Sequence, residues 1–300
     1  MRLFFKIILG LVALVFIALA IFLVPQHLQV RGVEPDLPDE AALRSLMTVE
    51  NGPIAVRYIV NASQPVGERA LSHLSFLIEW ENGNLFMIDA GMDEDAAAAF
   101  AELIGTLSGG GEGTFFGTVA DQMANNIQQV KGVGFTHLHI DHTQGIGAFC
   151  DARGSGAELY QTDWQHGLQN FNTTEGAALL ANSCLTRGAL QDAPIMTSPN
   201  FPGLGLVGLG GHTPGSTLFV VGLKDHLWLF SGDTTNTHGD ILSNTGKGFV
   251  YSGLLVPENT GRTEALRLWL RELDAKNDID VVVSHDLEAL QTTGMAPFAP

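Results

Sequence analysis

The chain has 300 residues, 45% of them apolar and 16% charged. That content supports a sizeable core in one large domain or two ordinary ones, and excludes a disordered chain. The net charge is −17, spread along the chain rather than gathered in a tail; such a surface repels phosphate backbones and argues against any nucleic-acid partner.

The first 24 residues stand apart. Ile7 to Val24 are eighteen residues without a charge or polar side chain, preceded by Arg2 and Lys6 and followed by Pro25. At about 1.5 Å per residue they nearly span a bilayer core of roughly 30 Å. Residues 1–24 therefore read as a transmembrane anchor. The flanking positive charges predict a cytoplasmic N-terminus and the bulk of the chain outside the cytoplasm, in the periplasm of a Gram-negative cell. Ala18-Leu19-Ala20 also fits a cleavage site, so the other reading is a signal sequence and secretion. The apolar run continuing through Ile21–Val24 favours the anchor.

Residues 25–40, with Pro25, Pro35 and Pro38, read as a linker, and 41–300 as one domain. A short helix is expected near 39–47, then strands at 54–60 and 71–80. Asn82-Gly83 in "ENGN" predicts a hairpin turn into the buried strand of "LFMIDAG", residues 85–91. Helices follow at 93–107 and 119–130, separated by a glycine-rich loop at 108–117, with a strand near 133–136. Further on the pattern predicts a strand at 158–160 and helical stretches around 163–170 and 175–187. Strands follow near 204–208, 217–222 and 227–231, then a helix at 263–273 and a last strand at 279–284. Strands cluster first and then alternate with helices, which predicts sheets covered by helices. Cys150 and Cys184 can pair in an oxidising compartment or remain two buried thiols; their positions leave both open.

The chemistry concentrates in "THLHIDHTQG", residues 136–145. His137, His139, Asp141 and His142 take four of six consecutive positions in a chain with ten histidines. Imidazoles and a carboxylate are ligands for zinc or iron. Packed together without a cation they would repel one another or stay unpaired. Three later strand ends offer His212 in "GLGGHTPGST", Asp233 in "WLFSGDTT" and His285 in "VVVSHD". Each is weak alone; together the set has five histidines and two aspartates, enough for two metals. His238, five residues after Asp233, reads as an exposed loop residue or a lining of the mouth, His73 as a strand residue, and His166 as a surface helix residue. No histidine–aspartate pairing near Ser216 points to a serine nucleophile.

In order and spacing, the series "THLHIDH … GGHTPGST … SGDTT … SHD" resembles the metallo-β-lactamase superfamily, from about residue 53 to 287. The resemblance implies an α/β (α+β) fold, a four-layer αβ/βα sandwich with metals at one edge between two sheets. It implies two Zn²⁺ ions, with iron or manganese as alternatives. His137, His139 and His212 would bind one metal and Asp141, His142 and His285 the other; Asp233 would bridge them. The implied reaction is hydrolysis of a small-molecule ester, lactone, thioester or amide by a hydroxide between the metals, with Asp141 as ligand and catalytic group. The alternatives are a non-haem iron oxidoreductase of sulfur-dioxygenase type, a β-lactamase, and a binding protein with a vestigial site. Aspartate stands at 233 where the commoner β-lactamases carry cysteine. Acyl-homoserine lactonases usually carry tyrosine three residues after that aspartate; here the position is Asn236, and Tyr251 is a candidate substitute. Specificity is expected from loops 108–117, 170–176 and 234–250.

Overall fold

A computed structural model describes residues 2–109 and 111–299 of the chain. The first seven strands are β1 (Ala55–Val66), β2 (Arg69–Glu79), β3 (Leu85–Ile88), β4 (Thr114–Phe115), β5 (Val130–Gly134), β6 (Glu158–Tyr160) and β7 (Thr186–Arg187). The remaining six are β8 (Met196–Thr197), β9 (Leu204–Gly208), β10 (Thr217–Gly222), β11 (Leu227–Phe230), β12 (Ile279–Val282) and β13 (Ala296–Pro297). One sheet has the order β13-β1-β2-β3-β5-β6-β7, with β4 paired to β1; the other runs β12-β11-β10-β9-β8.

Side-chain alternation explains why the sheets stack. Phe76 and Ile78 in β2, Phe86 and Ile88 in β3, and Phe219 and Val221 in β10 point into a core shared by both sheets. The residues between them point outward. Leu77 and Met87 meet a helical layer that includes Met123, Ile146 and Phe149. Leu218 and Val220 meet Leu266, Leu270 and Leu273 of the helix Thr260–Asp274. Strands apolar on both faces need cover on both faces, and the result is the expected four-layer αβ/βα sandwich.

Several boundaries differ from the sequence reading. Residues 25–31 are not linker: a single helix runs Arg2–Arg31 with Pro25 inside it. Proline forfeits one hydrogen bond, whereas Leu23 and Val30 on either side are buried. The helix is long and apolar enough to cross a membrane, with a mean hydropathy of 3.3 over its most apolar window. The glycine-rich loop 108–117 contains β4, which pairs with Ala62 and Ser63. The helix expected at 119–130 breaks at Ala124, where φ is +48° and a 3-10 stretch begins. The loop 234–250 contains a helix, His238–Ser243, capped by Thr237. Cys150 and Cys184 form a disulfide with a Cα–Cα distance of 5.5 Å.

Candidate metal centre

Residues 136–142 leave β5 at the rim of the first sheet. His139 caps the one-turn helix Ile140–Thr143, which turns Asp141 and His142 back toward His137. The backbone N–H of Ala90 donates to the His142 carbonyl, tying this turn to the end of β3. From the second sheet, β9 ends in a turn where Gly210 and Gly211 have φ of +64° and +81°, a conformation that side chains resist, and the chain delivers His212 inward. Asp233 follows β11 through Gly232, where φ is +58° and a Cβ would come within 2.7 Å of Thr136. His285 follows β12, and its carbonyl accepts from the N–H of Ser72 in β2.

All seven predicted residues meet at this edge. His137, His139 and His212 form one group, His137, His142 and Asp233 a second, and His73, Asp141 and His285 a third; within each, the possible ligand atoms lie within 4.8 Å of one another. Asp233 divides its carboxylate. Its Oδ1 is 3.1 Å from His285 Nε2 and 3.6 Å from His142 Nε2, and its Oδ2 is 3.8 Å from His212 Nε2. Asp141 Oδ2 lies 3.4 Å from His285 Nε2 and 3.5 Å from His142 Nε2.

Three of the imidazoles share one device. The Nδ1–H of His142 donates to Asp89 (2.9 Å), that of His212 to Glu258 (2.6 Å) and that of His285 to the Ser72 carbonyl (2.8 Å). In each ring Nε2 is left facing the centre, which is how metal-binding histidines are oriented. Asp89 is fully buried in the left-handed region, φ +59°, a conformation costing about 1–3 kcal/mol. It also accepts from the backbone N–H and hydroxyl of Thr136, at 2.8 Å each.

The donor set fits cations. The Nε2 atoms of His139, His142 and His212 are buried without a hydrogen-bond partner, a costly arrangement unless something else binds there. Burial, with the charge of neighbouring histidines, pushes His137 well below its ordinary pKa and His139 down to about 3. Both are neutral at pH 7, with His137 Nε2 and His139 Nδ1 sharing a hydrogen bond at 2.9 Å. Burial would raise Asp141 and Asp233, but the charges of His142 and His285 respectively outweigh it and keep both ionised. Burial would lower His142, but Asp141 and Asp89 hold it up at about 10, so an incoming cation must displace a proton there.

The sequence reading missed four residues of this centre. His73, called a strand residue, is one, but it is buried with both ring nitrogens unpartnered, and its Nδ1 is 3.4 Å from Asp141. Its one cue was a histidine inside an apolar strand. Asp89 lies within "LFMIDAG", where only a buried strand was expected. Glu258 and Lys247 carried no local signal; Lys247 Nζ lies 3.7 Å from Asp233, 3.6 Å from Glu258 and 5.0 Å above the Tyr251 ring. Tyr251 lies parallel to His212 at 6.5 Å. His238 does not line the mouth: its Nε2 is bonded to Asp274 at 2.9 Å. Asp286 caps the helix Leu287–Thr292, and His166 is exposed, as expected.

Comparison with known proteins agrees with this geometry. The sequence profile of the metallo-beta-lactamase superfamily matches residues 69–285. No curated protein matches the chain. Among solved structures, a mutant of B. thuringiensis AiiA with N-decanoyl-L-homoserine bound at its active site is similar at a TM-score of 0.58 and 16% identity, over 80% of this chain and 96% of that one. An N-acyl homoserine lactone hydrolase with N-hexanoyl-L-homoserine at its catalytic metal centre gives 0.57 and 15%, over 80% and 96%. A probable metal-dependent hydrolase from Staphylococcus aureus gives 0.50 and 15%, over 79% and 91%. The match spans most of the chain and contains all seven predicted residues, from His137 to His285, so the chain belongs to the metallo-beta-lactamase superfamily and is a metal-dependent hydrolase.

Proposed function

We propose that the chain is a di-zinc hydrolase of small carbonyl compounds: esters, lactones, thioesters or amides. His137, His139 and His212 would hold one ion, and Asp141, His142 and His285 the other. The observation that carries this reading is the divided carboxylate of Asp233, one oxygen toward His142 and His285 and the other toward His212. When bound, such cations would polarise a carbonyl oxygen and bring the pKa of an attacking water toward neutrality.

The chain's own residues do the rest. Asp141, held ionised, accepts a proton or a hydrogen bond and aligns an attacking water. Asp89, Glu258 and the Ser72 carbonyl fix the rings of His142, His212 and His285. Burial, helped by the charges of Asp233 and Glu258, keeps the Tyr251 hydroxyl protonated, so it can donate to a leaving oxygen. The disulfide and the charges flanking the apolar N-terminal segment support an anchored enzyme outside the cytoplasm.

The test is metal analysis of the purified full chain, with a hydrolysis screen of lactones (acyl-homoserine lactones first), β-lactams, thioesters and phosphodiesters. Two zinc ions per chain and carbonyl hydrolysis are expected. His139→Ala should lose metal, and Asp141→Ala should lose several orders of magnitude in turnover, with unchanged circular dichroism. Near-normal rates in Asp141→Ala with metal retained, or bound iron with oxygen consumption, would overturn the proposal.

A further inference from the structure

The segment between Asp233 and the helix Thr260–Asp274 faces two ways. Lys247 and Tyr251 point into the metal centre. Phe249, Val250, Leu254 and Leu255 point outward, with 80%, 61%, 45% and 39% of their surface exposed. Single exposed apolar residues are ordinary, but four within seven positions form a patch that needs a cover.

The N-terminal helix indicates what that cover is. Phe22 packs on Phe171 at 4.9 Å between ring centroids, and His27 Nε2 is bonded to the Gly253 carbonyl at 3.0 Å. Asn172 donates to the Leu255 carbonyl at 3.1 Å, joining the Phe171 loop to the same segment. Every residue from Phe4 to Phe22 is exposed, whereas Leu23 and Val30 are buried against the domain. Those nineteen free residues extend about 28 Å, close to the roughly 30 Å of a bilayer's hydrocarbon core. The free part of the helix therefore ends where the apolar patch begins. A bilayer that takes up the first has its surface level with the second.

We propose that the mouth of the metal centre rests on the lipid bilayer, with Phe249, Val250, Leu254, Leu255 and Phe171 in its interface. Substrates then enter from the lipid, as amphiphiles with an apolar chain and a hydrolysable carbonyl near the headgroup level. The substrate class rests on the hydrolase reading above; the docked surface does not. The net charge of −17 disfavours anionic headgroups, so apolar insertion rather than charge holds the surface, and zwitterionic lipid suffices.

The experiment uses the full chain in phosphatidylcholine vesicles. Cys150 and Cys184 are bonded to each other, so Phe249→Cys carries the single free thiol for an environment-sensitive fluorophore. Its emission should shift to the blue and be quenched by lipids with a nitroxide at a shallow acyl position. The same probe on Val49→Cys, at the far end of the second sheet near Gly222, should not be quenched. A blue shift without lipid quenching would mean that protein covers the patch, and would overturn the proposal, as would no change at all. In the same vesicles, the pair Phe249→Glu and Leu254→Glu should lower kcat/KM at least tenfold for a long-chain ester and leave a water-soluble short-chain ester unchanged. Equal losses on both esters would overturn the substrate class. Quenching at position 249 in a chain that hydrolyses no carbonyl compound would uphold the docking and overturn the hydrolase reading.

Discussion

Glu258 is the residue on which a buried lysine and a histidine of the centre converge. It accepts from His212 Nδ1 and from the Ser252 hydroxyl, and Lys247 lies 3.6 Å away. Burial would raise its pKa, but the Lys247 charge and the His212 hydrogen bond hold it down at about 2. At neutral pH it is therefore ionised, orients His212 and balances the Lys247 ammonium. Glu258→Ala removes both functions and leaves Lys247 facing Asp233 and the centre. Loss of a carboxylate behind a ligating histidine weakens metal binding by about 10–100-fold, and that loss is expected here in competition with a chelator. Glu258→Gln keeps an acceptor for His212, so its affinity should fall between those of Glu258→Ala and the parent. Equal affinity for all three would show that the hydrogen bond does not support the site.

Between elements, His238 joins the helix His238–Ser243 to Asp274 at the end of the helix Thr260–Asp274. The hydrogen bond to Asp274 raises the pKa of His238 against the opposing effect of burial. A histidine raised on folding stabilises the fold fully below its unfolded pKa, and the contribution disappears as pH rises through the folded value. The pair should therefore add about 1 kcal/mol below pH ~6.5 and little at alkaline pH. Chemical denaturation of His238→Gln against the parent should show a stability gap at low pH that closes on the alkaline side; a gap independent of pH would count against a charged pair. The disulfide acts on a different pair of elements, linking the helix Ile146–Arg153 to the segment before β7. Closing a loop of that size contributes about 3–4 kcal/mol in the chain-entropy model.

Across the whole molecule, the metal centre depends on how the two sheets face each other. Phe86 lies at their contact, 5.0 Å from Phe201 and 5.9 Å from Phe219 between ring centroids. Gly132 and Gly134 in β5 leave room for these rings: a Cβ on Gly134 would meet Phe219 at 2.4 Å. Because one group of metal-site residues comes from each sheet, a loosened contact should disturb the centre as well as the core. Phe86→Ala is expected to cost about 3–5 kcal/mol and to lower metal affinity although Phe86 touches no ligand. Thermal unfolding and metal competition on the same variant would check both; a stability loss with unchanged metal affinity would separate core from centre.

Much of this was legible in the chain itself. Strand alternation and the "ENGN" turn are local, and their elements lie within a few residues of expectation. The four residues of "HLHIDH" are clustered along the chain, and the three other predicted residues belong to motifs at strand ends. Glu258, Lys247 and His73 were not legible, because their roles come from neighbours 46, 14 and 68 positions away: His212, Asp233 and Asp141. The docking of the N-terminal helix on Phe171 and Gly253 was equally hidden, and so was its passage through Pro25. Periodicity and turn chemistry act between near neighbours, and through them the sequence by itself determined sheets covered by helices; the four-layer sandwich and the candidate ligand set were implied by the resemblance of the motif series. Which carboxylate backs which histidine, and which surface the mouth presents, depends on contacts between distant segments, and only the packing of the two sheets decided it.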